Sequence, residues 1–142
     1  NMLRKKTATY ALLALYEIAD QHRDTQHPSG VRAHDIAHKH KLPKAYVAKI
    51  LSQLANTEIL HSDRGPRGGF RLNRSPKEIS LYDIFDGVGA LTTNDKKRIA
   101  VKGLPAPVQN AMNRTQEEAA ELLRALLVKT TLADLLYGST AK

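Results

Sequence analysis

Five small or aliphatic residues in the first half of the chain have a spacing that few structures can satisfy. Ile36 and Ala37 are adjacent, Leu42 follows five residues after Ala37, and Val47 and Ile50 lie five and eight residues beyond Leu42. Two short helices joined by a tight turn need apolar residues at these positions. Ile36 would pack in the core from the first helix, Ala37 would be small where the helices cross, and Leu42 would fill the turn. Val47 and Ile50 would pack against the first helix from the second. The spacing therefore predicts a helix-turn-helix.

The two predicted helices run from about Ala33 to His40 and from about Lys44 to Asn56. Pro43 precedes the second helix, a position where its fixed φ and missing N–H are tolerated. Lys41 departs from the usual pattern, because glycine is the more common residue in such a turn. A lysine there is expected to carry a conformational cost.

The outer face of the second helix combines small side chains with two lysines. Small side chains let a helix approach base edges in the major groove of DNA, and lysines can reach phosphate or guanine. Tyr46 lies at the border of this face, where it either packs in the core or reaches a phosphate with its hydroxyl. The predicted DNA contacts of this helix are Lys44, Ala45, Tyr46, Ala48, Lys49 and Ser52.

A β-hairpin with a glycine-rich tip is predicted between Ile59 and Leu72. The alternation of apolar and polar residues from Phe70 to Leu72 is typical of a strand, and the glycines before it are typical of a turn. An arginine on such a wing fits a narrow, electronegative minor groove. The predicted DNA contacts at the tip are Arg64, Gly65, Arg67 and Gly68.

Positive charge is concentrated in the first half of the 142-residue chain. Residues 1–77 contain 14 Lys and Arg against 6 Asp and Glu, whereas residues 78–142 contain eight of each kind, so the whole net charge of +8 lies in the first part. A charge that served only solubility would be spread evenly. A basic patch confined to one module indicates a polyanion partner, and with the motifs above that partner is double-stranded DNA.

Further helices are predicted on both sides of this region. An amphipathic helix runs from about Thr7 to Gln21. Ser80 favours a capped short helix that ends near Val88, and a similar pattern predicts a last short helix over Thr131 to Leu136. The polar residues from Thr92 to Leu104 lack periodicity and are predicted to form a loop.

A long helix is predicted from near Pro105 or Pro107 to about Val128, with a break near Arg114 as the alternative. About 22 helical residues extend about 33 Å, which is too long for one small domain to cover. Its apolar stripe is therefore expected to form a homodimer interface, and packing against the chain's own first helix is the alternative. The predicted interface residues are Val108, Met112, Ala119, Leu122, Leu123 and Leu126.

The predicted fold class is mainly α with a small β-hairpin wing. Residues 2–88 are expected to form a winged helix-turn-helix domain, residues 89–104 a loop, and residues 105–137 the dimerisation helix with a short terminal helix.

Enzyme chemistry lacks support in the sequence. The absence of cysteine excludes disulfides, thiolate nucleophiles and cysteine-ligated zinc. His34, Asp35 and His38 approximate a zinc-protease motif, but the residues between them are needed in the helix-turn-helix core and a third ligand is missing. No apolar run approaches the roughly 18 residues of a membrane span. We therefore expect a cytoplasmic protein with no catalytic residue, no metal and no cofactor.

Together these motifs resemble the Rrf2 family of bacterial transcriptional regulators. The resemblance covers nearly the whole chain, through KAYVAKIL at 44–51, RGPRGGFRL at 64–72, EISLYDI at 78–84 and TLADL at 131–135. It implies a winged-helix homodimer, held by the long helix, that represses or occasionally activates transcription at a palindromic operator.

The chain also departs from this family. Many members hold an iron–sulfur cluster through three cysteines in a segment equivalent to residues 89–104, so a chain without cysteine resembles the cluster-free branch. Arg67 stands where glycine is common, and Arg32 stands where Ser or Thr usually caps the first reading helix. Members of the cluster-free branch respond to other signals or to partner proteins. The alternative function is a sensor for a small-molecule effector or a partner protein, with DNA binding secondary.

Overall fold

The computed structural model describes residues 3–22, 30–66, 68–91 and 102–138. The predicted mainly helical fold with one antiparallel hairpin is confirmed. Its helices and strands, in chain order, are α1 (Lys5–His22), α2 (Ala33–His40), α3 (Lys44–Asn56), β1 (Leu60–Asp63), β2 (Gly69–Leu72), a 3₁₀ turn (Pro76–Glu78), α4 (Leu81–Gly87), α5 (Ala106–Lys129) and α6 (Leu132–Tyr137).

Helix α1 lies at the centre of the apolar core. Its residues Ala11, Leu15 and Ile18, at three- and four-residue spacing, are fully buried. Helices α3 and α4 and strand β2 pack around it. Full burial of one large aliphatic side chain contributes about 1.5–3 kcal/mol to the stability of the fold. The buried residues of α1 therefore stabilise the core against which α3 packs.

The turn between α2 and α3 has the predicted construction. Leu42 is half-buried against the core and its N–H donates to the carbonyl of Ala37 at 2.9 Å. Lys41 has φ 54° and ψ 47°, a left-handed conformation that costs an L-residue about 1–2 kcal/mol. The other predicted core positions are at most 4% exposed: Ile36, Ala37, Val47 and Ile50.

The wing is a two-stranded antiparallel hairpin in which Leu60 pairs with Leu72 and Asp63 with Gly69. The tip of the wing lies between Asp63 and the buried Gly68, and its described residues Arg64, Gly65 and Pro66 are exposed. The hairpin begins four residues after α3 ends, and Ile59 and Leu60 at its start are buried in the same core that holds the helix-turn-helix.

The caps predicted for the short helices are present. The Ser80 hydroxyl accepts from the N–H of Asp83 at 3.0 Å at the start of α4. Thr131 and Asp134 form a reciprocal capping box at the start of α6. Each satisfies N–H groups that the first turn of a helix leaves without an intrahelical acceptor.

Helix α5 is continuous over 24 residues, so the alternative of a break near Arg114 is wrong. The Thr115 hydroxyl donates to the carbonyl of Ala111 at 2.9 Å within the helix instead of capping a new one. Within its own chain α5 packs on α4, where Arg124 lies 5.3 Å from the ring centre of Tyr82. Most of the loop predicted over Thr92 to Leu104 lies outside the described residues.

Candidate nucleic-acid interface

Helix α3 presents an exposed polar face opposite its buried one. Its inward positions are Val47, Ile50, Leu51 and Leu54. On the outer face Lys44, Ala45, Lys49 and Ser52 are exposed, and Ala48 between them is half-buried. Five of the six predicted contacts thus share one surface. It carries two cations and no side chain larger than serine between them, which suits a helix that lies against base edges.

Tyr46 is occupied by contacts within its own chain. Its hydroxyl lies 2.9 Å from the Thr7 hydroxyl, and its ring meets the edge of the Tyr10 ring at 5.4 Å between centres. This geometry supports the interpretation as a packing residue. A phosphate contact at Tyr46 stays a prediction, and it would require the hydroxyl to share its bond with Thr7.

The wing tip brings three of the predicted residues to one place. Arg64 and Gly65 are exposed there, and Gly65 has φ 105°, which glycine adopts without strain. Gly68 is buried, and a Cβ atom at this position would lie 2.6 Å from the carbonyl oxygen of Asp63. Gly68 is therefore suited to shaping the tip rather than to touching DNA. Arg67 lies outside the described residues.

The stem of the wing contains an ion pair. Arg71 donates from Nε and Nη2 to the carboxylate of Asp63, and His61 Nε2 lies 3.1 Å from the same group. The hydrogen bond from Arg71 holds the pKa of Asp63 below its usual value. These contacts link neighbouring side chains of β1 and β2 at the base of the tip.

The segment that precedes α2 is joined to the wing. Val31 pairs with Phe70 through two backbone hydrogen bonds, of 3.0 and 2.8 Å. Arg32, at the N-cap of α2, donates from Nη2 to the carbonyl of Pro66 in the wing tip. From the sequence, Arg32 is only a departure from the usual capping pattern. Its contact with Pro66 spans 34 residues, so no local sequence pattern predicts it.

A buried carboxylate ties α1 to the end of α2, and sequence reasoning missed it. Glu17 is 3% exposed, and it binds Lys39 Nζ at 3.1 Å and His40 Nε2 at 2.9 Å. Burial raises the pKa of Glu17, but the hydrogen bonds from His40 and Lys39 outweigh it, so the pKa lies below its usual value. An acidic residue inside the apolar stripe of the first helix was the available signal.

The predicted interface stripe on α5 is exposed, with one exception. Leu122 is 73% exposed, and Val108, Met112, Ala119 and Leu126 are exposed with it. Leu123 is instead half-buried and packs against the core of its own chain. It belongs to the neighbouring face of α5 that ends at the buried Leu127.

The described residues contain no group of three or more His, Cys, Asp and Glu side chains that could hold a metal ion. His34 and His38 stack on α2 with their ring centres 6.2 Å apart. None of the described helices is both long enough and apolar enough to cross a membrane. A small pocket between α1 and α6 is lined by Tyr16, Ala19, Asp20, Leu136 and Tyr137.

Comparison with known proteins identifies the family of this helix-turn-helix and wing. The family model Rrf2, described as an iron-dependent transcriptional regulator, matches residues 4–138. The chain belongs to the Rrf2 family of transcriptional regulators. This confirms the resemblance that the sequence motifs indicated.

Curated relatives of this Rrf2 family member are named as HTH-type transcriptional regulators. One from Aquifex aeolicus is 36% identical over 88 residues, which cover 62% of this chain and 58% of that protein. The MT1325 protein of Mycobacterium tuberculosis is 28% identical over 134 residues, which cover 93% of this chain and 80% of the relative. The chain therefore spans only somewhat more than half of the Aquifex relative's length.

Solved structures with the same fold cover almost the whole chain. A transcriptional regulator from Listeria innocua matches with a TM-score of 0.70 at 26% identity, over 99% of this chain and 90% of that one. CymR of B. subtilis, described as the global cysteine regulator, matches with a TM-score of 0.67 at 22% identity, over 94% of this chain and 95% of that one. At that identity the CymR match shows the shared fold alone.

The donor atoms of this Rrf2 family member do not fit the iron–sulfur cluster that many members carry. Such clusters are held mainly by cysteine thiolates. The sequence contains no cysteine, and its residues 89–104 contain no histidine either.

Proposed function

We propose that this Rrf2 family member is a sequence-specific DNA-binding repressor that reads a palindromic operator as a homodimer, without an iron–sulfur cluster. The observation that carries the proposal is the joint exposure of the α3 outer face and the wing tip on one domain. In this proposal residues 2–88 bind DNA and residues 105–137 hold the dimer together.

Each exposed element suits a different groove. Helix α3 offers Lys44 and Lys49 on either side of small residues, which supports a place in the major groove with its backbone close to the base edges. The wing tip offers the exposed Arg64 beside Gly65 on a turn, which supports a place for Arg64 in the adjacent minor groove. Two contacts on one rigid domain restrict the register of the protein on the duplex.

The spacing of the exposed stripe on α5 supports the homodimer. With the exposed Thr115 added, the stripe repeats at four, three, four, three and four residues, which is the spacing of a coiled-coil seam. The repeat is the same from either end. Two antiparallel copies centred on Glu117 would pair Val108 with Leu126 and Met112 with Leu122 of the second copy, and the small residues Thr115 and Ala119 would meet at the centre. We therefore place the twofold axis at this point.

A dimer also gives the recognition its specificity. A single winged helix reads only a short half-site. Specific binding to one DNA sequence among many needs two half-sites, related by a twofold axis, to be read together. A palindromic operator is the DNA counterpart of the proposed antiparallel helix pair. When such an operator overlaps a promoter, the bound dimer excludes the polymerase. Transcription from a template with this arrangement should therefore be repressed.

Selection of bound sites from a pool of random duplexes tests the proposal. The expected result is enrichment of one motif made of two inverted half-sites, with their centres about one helical turn or a multiple of it apart. Recovery of the pool without enrichment would overturn the proposal. Enrichment of a single, asymmetric half-site would support sequence-specific binding but would contradict binding as a homodimer.

A further inference from the structure

Arg32 joins the start of α2 to the tip of the wing. It occupies the N-cap position of α2, with φ −90° and ψ 144°, and its Nη2 donates to the backbone carbonyl of Pro66. Pro66 lies in the exposed tip, two residues after Arg64. The contact therefore spans from the helix-turn-helix to the residues that the proposed function places in the minor groove.

The base of the wing is already held by its backbone. Val31 pairs with Phe70, and the backbones of Gly30 and Gly69 approach so closely that a Cβ atom on Gly30 would lie 2.7 Å from the carbonyl carbon of Gly69. These contacts end where β2 begins. The tip projects beyond them, and Arg32 supplies a contact on this exposed part.

We propose that Arg32 is a positioning residue that fixes the wing tip relative to α2 and α3, so that Arg64 and the α3 face reach their two grooves together. This inference rests on the proposed function. A guanidinium is a charged donor, and its hydrogen bonds are about twice as strong as neutral ones. A tip ordered before binding avoids the entropic cost of being ordered on the DNA.

A direct contact between Arg32 and a phosphate is the competing role, since the guanidinium is exposed and has further N–H groups. The two roles differ in their coupling to Arg64. A positioning residue acts through the tip. Once Arg64 has been removed, substitution of Arg32 should therefore change the DNA affinity little. A phosphate contact is independent of Arg64, so the two losses multiply and the salt dependence of binding falls by about one.

The first arm of the test needs no DNA. Trypsin cleaves after Arg64, and cleavage at an exposed turn follows the population of its open form. We expect the tip of Arg32→Ala to be cut about tenfold faster than that of the native protein, in line with the loss of one charge-assisted hydrogen bond. Arg32→Lys, whose ammonium can donate to the same carbonyl, should be intermediate. Equal cleavage rates in all three proteins would overturn the inference whatever the protein binds.

The second arm uses a duplex selected by the native protein, with dissociation constants measured over a range of salt concentrations. Arg32→Ala should weaken binding about tenfold with an unchanged salt slope, and Arg32→Ala/Arg64→Ala should bind within about twofold of Arg64→Ala alone. Lys44→Ala is the matched control. In the double variant Arg32→Ala/Lys44→Ala, the losses of affinity of the two single variants should multiply. Losses that multiply for Arg32 and Arg64, or native affinity in Arg32→Ala, would overturn the positioning role and leave the proposed function standing.

Discussion

Glu17 Oε1 lies 2.9 Å from His40 Nε2, and through this contact the central helix α1 holds the last turn of α2. The second carboxylate oxygen binds Lys39 at 3.1 Å. The helix-turn-helix is thus joined to α1 by a buried polar contact in addition to the apolar packing of residues such as Ile36. The orientation of α2 and α3 relative to α1 therefore depends in part on this carboxylate.

Removal of this carboxylate should destabilise the fold. Glu17→Ala is expected to lower the free energy of unfolding by about 1–3 kcal/mol, because the buried hydrogen bonds to His40 and Lys39 are lost. Urea unfolding followed by circular dichroism measures the change. Asp20→Ala, an exposed acid on the same helix, is the matched control and should change stability by less than about 0.5 kcal/mol. Equal losses in the two variants would contradict the structural role of Glu17.

The same group predicts a dependence on pH. Because the pKa of Glu17 in the folded state lies below its ordinary value of 4.5, its contribution to stability is complete above that value and is lost as the pH falls through the folded pKa. The difference in unfolding free energy between the native protein and Glu17→Gln should therefore shrink on acidification below pH 4.5. A difference that stays constant or grows in acid would contradict the direction of the shift.

The two lysines on α3 should appear in the salt dependence of DNA binding. Lys44→Ala and Lys49→Ala are each expected to reduce the slope of log K against log salt by about one, since each phosphate contact releases a counterion. Binding titrations at several salt concentrations measure the slope. Lys129→Ala, at the far end of α5, is the control and should leave it unchanged. If neither α3 variant alters the slope, these lysines lie outside the phosphate interface.

The α5 stripe predicts which leucine controls assembly. Leu122→Glu should yield a monomer by light scattering and lose operator binding, because the charge would be buried against the second copy. Val128→Glu is the matched control, an exposed apolar residue off the stripe, and should stay dimeric. Leu123→Glu would not separate assembly from folding, because Leu123 packs against the core of its own chain. A dimeric Leu122→Glu protein would contradict the interface.

The sequence predicts the helix-turn-helix closely because its packing constraints are local. The positions from Ile36 to Ile50 lie on two adjacent helices and the turn between them, and the structure has the helix bounds that the sequence predicts. The caps at Ser80 and Thr131 are also local, since the hydroxyl and the N–H that it binds are three residues apart.

The contacts that the sequence did not predict join distant residues. The bonds from Glu17 to His40 and from Arg32 to Pro66 span 23 and 34 residues, and only the packed tertiary structure brings their partners together. The packing of Leu123 against the core of its own chain was missed for a different reason. Helical periodicity identifies an apolar stripe, but it does not separate two stripes one residue apart when one faces the chain's own core and the other is exposed.

The ratio of two dissociation constants distinguishes sequence-specific DNA binding from general binding to phosphate. The native protein is titrated, at one fixed salt concentration near physiological, with the duplex enriched by selection and with a scrambled duplex of the same composition. Reading through α3 and the wing predicts that the selected duplex binds at least about 10³-fold more tightly. Equal affinity for the two duplexes would mean that the basic half of the chain binds phosphate without reading sequence, and would contradict sequence-specific recognition through α3 and the wing.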